Sequence, residues 1–508
     1  MTTATVSAEE HTRAASKVRR MRVVKREITK REILTGDPRE ALCRLCRDVL
    51  NLTMKPFHEK LVEFDAGPEH ESLSLAARGF GKSTILTVGR SILESLRNPN
   101  IRILIASKTS GRASDFLNEI LGNLRFNERL VETFGGQYDH ERVHRHELPW
   151  SNTAASVKGR TLIDHVPTFS TTGVGGQVAG AHYDLIIGDD LVAEENSRTE
   201  VQRVTLSNWY GKVLYPTIDA DKTKLRFRGT RFHPLDLWGE FIADGMPHVN
   251  IRALNEAGES VWPEKYPAEF LEDVRRRRGS AIFASQYQNE TELMKGRMFR
   301  ESWFRYWTEP PTWKADDDSE HTSFDNSEAW LGGDPAATGR DVLLTARKAD
   351  TDWWTFAVAS RNVLPRNEGY APEFYLRHIW RGRVTKREYL ERVVSTFKRF
   401  NCVLVAMENV AAQEHLCQDL ASILPVRRVS RTTDKVSRAF ALQPYFENGQ
   451  ILFPHPSLIT DEDERDTWDA LRDELLLFPD TGVHDDLFDA LETTVRASTE
   501  GAIEVFSA

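Results

Sequence analysis

The sequence predicts an α/β chain with two domains, each built on a mostly parallel sheet, behind a basic N-terminal arm. Three observations predict it. Apolar runs of strand length alternate with helical patterns over residues 36–295, and the same alternation starts again at Ala329. Between the two zones, residues 296–328 turn polar and Pro-containing, with the acidic patch Asp316-Asp317-Asp318-Ser319-Glu320, and read as a linker. A chain of 508 residues is also too long for one ordinary core.

Composition bounds the functional classes. No stretch reaches the roughly 18 consecutive apolar residues of a membrane span, and the basic N-terminus has no apolar core behind it, so neither a membrane protein nor a secreted one is expected. Four cysteines cannot make a disulfide framework, which fits the reducing cytoplasm. The net charge of −9 does not advertise nucleic-acid binding, yet Arg13–Arg31 carries nine Lys/Arg against the single acid Glu27. The arm 1–35 therefore reads either as a phosphate-contacting segment or as a solvated, mobile tail.

In the first domain, strands are expected at 73–76, 101–107, 168–170, 184–188 and 224–230. The first runs into Ala76-Ala77-Arg78-Gly79-Phe80-Gly81-Lys82-Ser83-Thr84 and then a helical pattern, the strand–loop–helix context of a phosphate-binding loop. Gly79 and Gly81 let the backbone N–H groups face a phosphate at the helix start. Lys82 would reach the β- and γ-phosphates of ATP and the Ser83 hydroxyl would ligate Mg²⁺, with Thr84 beside it. Ala76 stands where the motif carries its first glycine, and Arg78 inside the loop is a candidate γ-phosphate contact.

Such a loop needs an acidic partner at the end of a neighbouring strand. Asp184-Leu185-Ile186-Ile187-Gly188-Asp189-Asp190 supplies an apolar strand ending in two acids. Asp189 is expected on the metal side and Asp190 as the group that polarises the attacking water. Asp is one methylene shorter than the Glu common there, so either the loop sits closer or Asp190 is not the base.

In the second domain, strands are expected at 329–334, 341–348, 353–360, 373–380 and 403–408, and helices near 386–399, 411–423, 434–448, 464–477 and 485–497. That order suits a ribonuclease-H-like layout. Two strands end in acids, Asp334 and Glu408, and Val483-His484-Asp485-Asp486-Leu487-Phe488-Asp489 opens a helix with more. Strand ends and a helix start can gather such groups around two divalent ions for hydrolysis, and hard oxygen ligands suit Mg²⁺ or Mn²⁺. Asp334, Glu408 and Asp486 are the core candidates, with Asp485 close behind and Asp489 one turn on. Asp341 reads as a turn acid. Lys435 and Arg438, with Arg427, Arg428 and Arg431, form a basic patch fit for backbone phosphates or, failing that, a solvated helix start. Cys43 and Cys46 have metal spacing without a second pair and suit one buried helix face. Arg142, Arg145 and Arg160 are candidates for a finger reaching a neighbouring subunit.

These motifs, in this order, resemble the large terminase family of tailed viruses over roughly residues 45–495. The loop arginine Arg78, the strand 184–190, a later strand with Arg228-Gly229-Thr230-Arg231-Phe232-His233, and the final acid cluster carry the resemblance. The resemblance implies a RecA-like P-loop ATPase motor domain over 36–295 and a ribonuclease-H/resolvase-like nuclease domain over 329–508. It also implies that Thr230 senses the γ-phosphate and that Asp334, Glu408 and the 484–490 cluster bind metal. The activity implied is ATP-driven translocation of double-stranded DNA into a procapsid with endonucleolytic cutting of concatemers. The implied partners are DNA, a small terminase subunit, a portal protein and further copies in a ring, a pentamer when packaging and a monomer when free. The chain would work in the host cytoplasm, transiently on the portal. Where the family often reads adenine with a glutamine, this chain has Lys55-Pro56-Phe57-His58. The rival readings are a helicase-type repair translocase fused to a nuclease, and a scaffold ATPase with an inactive second domain.

Overall fold

The computed structural model describes residues 8–162, 164–178, 180–220, 222–294, 298–309, 312–314, 320–322, 324, 327–335, 353–362, 374–408, 414–429, 434–479 and 485–499. The chain forms two compact units, one running to Glu272 and including Phe283–Leu293, the other made of Asp273–Ile282 and the chain from Met294.

The first unit holds a seven-stranded sheet. Its strands are β1 (Glu71–Ala76), β2 (Ile103–Ser107), β3 (Ala154–Ala155), β4 (Phe169–Gly173), β5 (Leu185–Asp189), β6 (Lys224–Gly229) and β7 (His248–Ile251), in the order β3-β4-β2-β5-β6-β1-β7. All neighbours are parallel except β3 and β4. β2 and β5 are buried along their whole length, which is why they read as unbroken apolar runs. One expectation needs correction: the strand ending in Asp189 is not next to the phosphate-loop strand, because β6 lies between them. β6 brings two arginines into the interior, Arg226 and Arg228, each 0% exposed. Arg226 donates to the carbonyls of Asp65, Gly67, Glu69 and His70, and Arg228 to the Asp65 carboxylate, so neither charge is buried without partners.

The arm is also not a loose tail where it is described. Ala8–Thr35 is one helix, anchored where Ile33 is buried and Arg97 donates to the carbonyls of Ile33 and Gly36. Cys46 is buried in the next helical segment, with its sulfur against Gly89, and burial pushes its thiol up to about 12. No helix among the described residues is long and apolar enough to cross a membrane.

The second unit also holds seven strands in one sheet. They are β8 (Arg305–Trp307), β11 (Ser327–Asp334), β12 (Trp354–Asn362), β13 (Phe374–Gly382), β14 (Cys402–Glu408), β15 (Val426–Val429) and β16 (Ile451–Pro454); β9 (Thr312–Lys314) and β10 (Glu320–Thr322) form a separate hairpin pair. The order is β15-β14-β11-β12-β13-β16-β8, with β11, β12 and β13 antiparallel in turn and the other neighbours parallel. Helix Lys386–Arg399 covers one face through Tyr389 and Val393, while helices Lys435–Glu447, Glu462–Leu477 and Asp486–Thr499 share the core of the other. The segment expected as a linker is in part structural: β8 extends this sheet, and Met298, Phe299 and Phe304 sit in its core. Their apolar side chains were overshadowed by polar neighbours. The expected strand 341–348, with Asp341, and residues Arg431 and His484 lie outside the described residues.

Candidate functional sites

β1 ends at Ala76, a buried strand residue whose carbonyl accepts from the Thr230 hydroxyl at 3.4 Å. No glycine is needed there, because the backbone is still extended. The turn comes later, at Gly79 and Gly81, with φ of 80° and 75°. A Cβ on Gly79 would also lie 2.0 Å from the Tyr266 hydroxyl, so the position is closed to other residues on both counts. Under the loop, the His58 Nδ1 accepts the Lys55 N–H at 3.0 Å, which leaves Nε2 to donate to the Phe80 carbonyl at 2.9 Å. Burial holds the His58 pKa below its ordinary value, which favours that neutral ring.

The helical turn Ser83–Gly89, continued by helix Arg90–Arg97, places Ser83 and Thr87 four residues apart on one side. Both hydroxyls donate to Asp189: Ser83 to Oδ1 at 3.0 Å and Thr87 to Oδ2. Asp189 is fully buried, and burial, reinforced by Asp190, raises its pKa against the pull of Lys82 and Arg228. Arg228 donates to Thr87 at 3.3 Å and to Asp65 at 3.3 Å, and Arg90 reaches the other Asp65 oxygen at 3.4 Å. Lys82 bridges Asp190 at 3.1 Å and Thr230 at 3.4 Å. Asp190 holds a positive φ of 51°, a backbone state that costs energy outside glycine, with its N–H tied to the Arg228 carbonyl at 2.9 Å. Lys82, Ser83, Asp189, Asp190 and Thr230 are thus joined in one connected network. A hydroxyl and a buried carboxylate 3.0 Å apart are hard oxygen donors of the kind Mg²⁺ takes. Thr84 stands next on the same turn, half-buried. The exposed Arg78 side chain donates to Gln286 at 3.1 Å. Arg160 is no finger, being buried on the carbonyls of Ile101 and Val166 and on Asp164. Sequence reasoning missed Thr87, whose spacing from Ser83 was a usable signal, and Asp65, which had none.

The second candidate site lies at one end of the second sheet. Asp334 and Glu408 end the parallel neighbours β11 and β14, one step past the pair Gly333–Met407. Across β11, Asp334 pairs with Thr355, whose hydroxyl donates to the carbonyls of Asp334 at 3.3 Å and Asp486 at 2.9 Å. That bond ties the start of helix Asp486–Thr499 to the strand end. Tyr389 donates to the Thr355 carbonyl at 3.0 Å, and burial together with the Asp334 charge pushes its pKa well above the ordinary range. The backbones of the predicted acids therefore meet. Among the described residues, no group of three or more His, Cys, Asp or Glu is gathered so as to hold a metal ion.

Two of the acids have other partners. Lys435 binds Asp485 at 2.5 Å and Asp489 at 3.0 Å, and Arg438 binds Asp489 at 2.8 Å and Glu492 at 3.4 Å. This corrects the basic-patch expectation for these two residues, because Arg438 is buried and the partly exposed Lys435 is paired with Asp485 and Asp489. Arg427 likewise turns inward, to the Ala497 carbonyl at 2.6 Å. Glu474, which the sequence did not mark, is buried and accepts the Phe488 N–H at 2.9 Å. Burial is the main cause that raises its pKa to about 8, with Asp486 and Asp485 adding to it.

Residues 331–496 match the terminase RNase H-like domain. Over 238 residues the chain is 26% identical to the large terminase subunit of Enterobacteria phage T3, a match spanning 46% of this chain and 36% of that relative, so only about a third of the relative's length is matched. Two solved structures are similar at 12% identity: a large terminase from a thermophilic bacteriophage, covering 92% of this chain and 98% of that one with a TM-score of 0.42, and the HK97 bacteriophage large terminase, covering 88% and 95% with a TM-score of 0.31. The matched RNase H-like domain spans Asp334, Glu408 and the helix-opening acids, so the second unit carries the terminase RNase H-like domain and the chain as a whole is similar to large terminases.

Proposed function

We propose that the first unit hydrolyses ATP to drive double-stranded DNA into a viral procapsid, and that the second unit cuts that DNA endonucleolytically. The observation that carries the motor reading is the set of contacts at the phosphate loop: Ser83 donates to Asp189, and Lys82 reaches both Asp190 and Thr230, the residue just past β6. In this reading Lys82 would neutralise the phosphates, Ser83 and Asp189 would hold Mg²⁺, and Asp190 would orient the attacking water. Thr230, bonded to Lys82, would report the γ-phosphate to β6. In the nuclease unit, Asp334, Glu408, Asp485 and Asp486 would hold Mg²⁺ or Mn²⁺, two ions in the two-metal form, which supply an activated water and stabilise the leaving oxygen. The acids supply oxygen donors of the right class, and drawing them together requires Asp485 to leave Lys435. A ring of copies, a pentamer by family resemblance, would act on the portal with a small terminase subunit.

The test is plasmid cleavage with Mg²⁺ or Mn²⁺ beside ATP turnover for wild type, Asp334→Ala and Lys82→Ala. Cleavage lost only in Asp334→Ala and ATP turnover lost only in Lys82→Ala is the expected pattern. An Asp334→Ala protein that still cuts would sink the assignment of the second site.

A further inference from the structure

The phosphate loop is braced by a side chain that its motif does not include. Lys55 precedes Pro56, which confines it to extended backbone, with φ −111° and ψ 161°. Its N–H is thereby aimed at the ring of His58, on the first turn of helix Pro56–Asp65, where Nδ1 accepts it at 3.0 Å. A neutral imidazole that accepts at Nδ1 carries its proton on Nε2, and Nε2 donates to the Phe80 carbonyl at 2.9 Å. Phe57 and Trp262 hold the ring in that orientation, with centroids 4.0 and 5.3 Å away. The ring is 1% exposed, so it acts on a bound nucleotide only through the loop.

We propose that His58 is a positioning residue for ATP: by holding the Phe80 carbonyl it turns the Phe80–Gly81 peptide so that the Gly81 N–H faces the phosphates. Its role in turnover rests on the ATPase reading above. A trans peptide is planar, and its C=O and N–H point in opposite directions. Fixing the Phe80 carbonyl on His58 therefore directs the Gly81 N–H away from His58, towards the side where such a loop receives its anion. Gly81 follows without strain at a φ of 75°, and a Cβ there would lie only 3.2 Å from Nε2. The tip of the loop is held as well. Lys265 donates to the Gly79 carbonyl at 2.8 Å, and the Phe80 ring stacks on Tyr266 at 5.3 Å. A glycine-rich loop is loose by nature, and an N–H aimed in advance loses less freedom when the phosphate arrives.

The experiment separates the two ring nitrogens in the full chain. In His58→Gln the amide NH₂ stands near the place of Nε2 and still donates to Phe80. In His58→Asn the side-chain oxygen stands near the place of Nδ1 and keeps only the Lys55 bond, while His58→Phe keeps the volume and neither bond. Affinity for ATP with Mg²⁺, by equilibrium dialysis, is read beside ATP turnover and melting temperature, with Lys82→Ala as the control for the site. His58→Gln is expected to keep the wild-type affinity. His58→Asn and His58→Phe are expected to weaken it about tenfold, the size of one hydrogen bond to a charged group. A role confined to the start of helix Pro56–Asp65 gives the reverse order, with Asn sound and Gln impaired, and that order overturns the proposal. Equal affinity in His58→Gln and His58→Phe overturns it too. If Lys82→Ala binds ATP as wild type does, the phosphate-loop assignment falls and takes the proposal with it. If ATP binds but is never turned over, the ATPase reading falls, and the order of affinities still decides what His58 does.

Discussion

The phosphate-loop site and the acidic end of the second sheet are built from the same kinds of groups, strand-end carboxylates beside a helix start, yet they stand in different states. In the first, both Asp189 oxygens receive hydroxyl donors and Lys82 sits between Asp190 and Thr230. In the second, the acids share a sheet end, but Asp485 and Asp489 are drawn to Lys435 and Arg438. The contrast follows from chain distance and charge. Ser83 and Thr87 lie on the helix that follows the loop, so one turn presents both donors to a single carboxylate. Asp334, Glu408 and Asp486 come from three separate elements, and like charges brought together repel. The lesson is that one helical turn supplies the donors of the first site, while the second is assembled from distant elements whose neighbouring acids Asp485 and Asp489 are paired with Lys435 and Arg438.

The largest effect expected is in the second unit. Arg438→Met leaves Asp489 and Glu492, both buried, short of a counter-charge, and should cost about 3–5 kcal/mol, seen as a lower midpoint in urea unfolding; a neutral result would break the claim that cations hold these acids. Next, Thr87→Val removes one donor from Asp189 and one acceptor from Arg228, so stability falls by about 1–3 kcal/mol and ATP turnover falls with it. Turnover that survives this change would mean Ser83 alone positions Asp189.

The smallest effect is a pH dependence. Glu474 has a folded pKa of about 8, far above its unfolded value, so the folded state holds the extra proton between the two. Its contribution to stability is therefore fully present below about pH 4.3 and is lost as pH rises towards about 8. Chelated, metal-free Glu474→Gln protein should show a flatter fall in melting temperature across that window than wild type does.

Much of the fold was readable because parallel strands buried on both faces leave unbroken apolar runs, as at Ile103–Ser107 and Leu185–Asp189. The short edge strand Arg305–Trp307 escaped notice because it is exposed at two of its three positions and is held by partners distant in sequence, β16 and the Leu376 carbonyl that accepts the Trp307 indole N–H. The phosphate loop was legible since its chemistry is contiguous. Asp65 was not, because an acid at a helix end has many ordinary uses, whereas Thr87 was marked only by its four-residue spacing from Ser83.

By itself, then, the sequence determined the two α/β halves, the phosphate loop and the acids at the ends of strands, since hydrophobic period and local turn chemistry are properties of neighbouring residues. Only the tertiary structure decided that β6 separates the two nucleotide-site strands, that Lys435 and Arg438 pair with acids, and that Arg381 and Arg383 share Trp353. Strand order and ion pairing depend on which distant segments meet, and a carboxylate or guanidinium carries no local mark of its eventual partner.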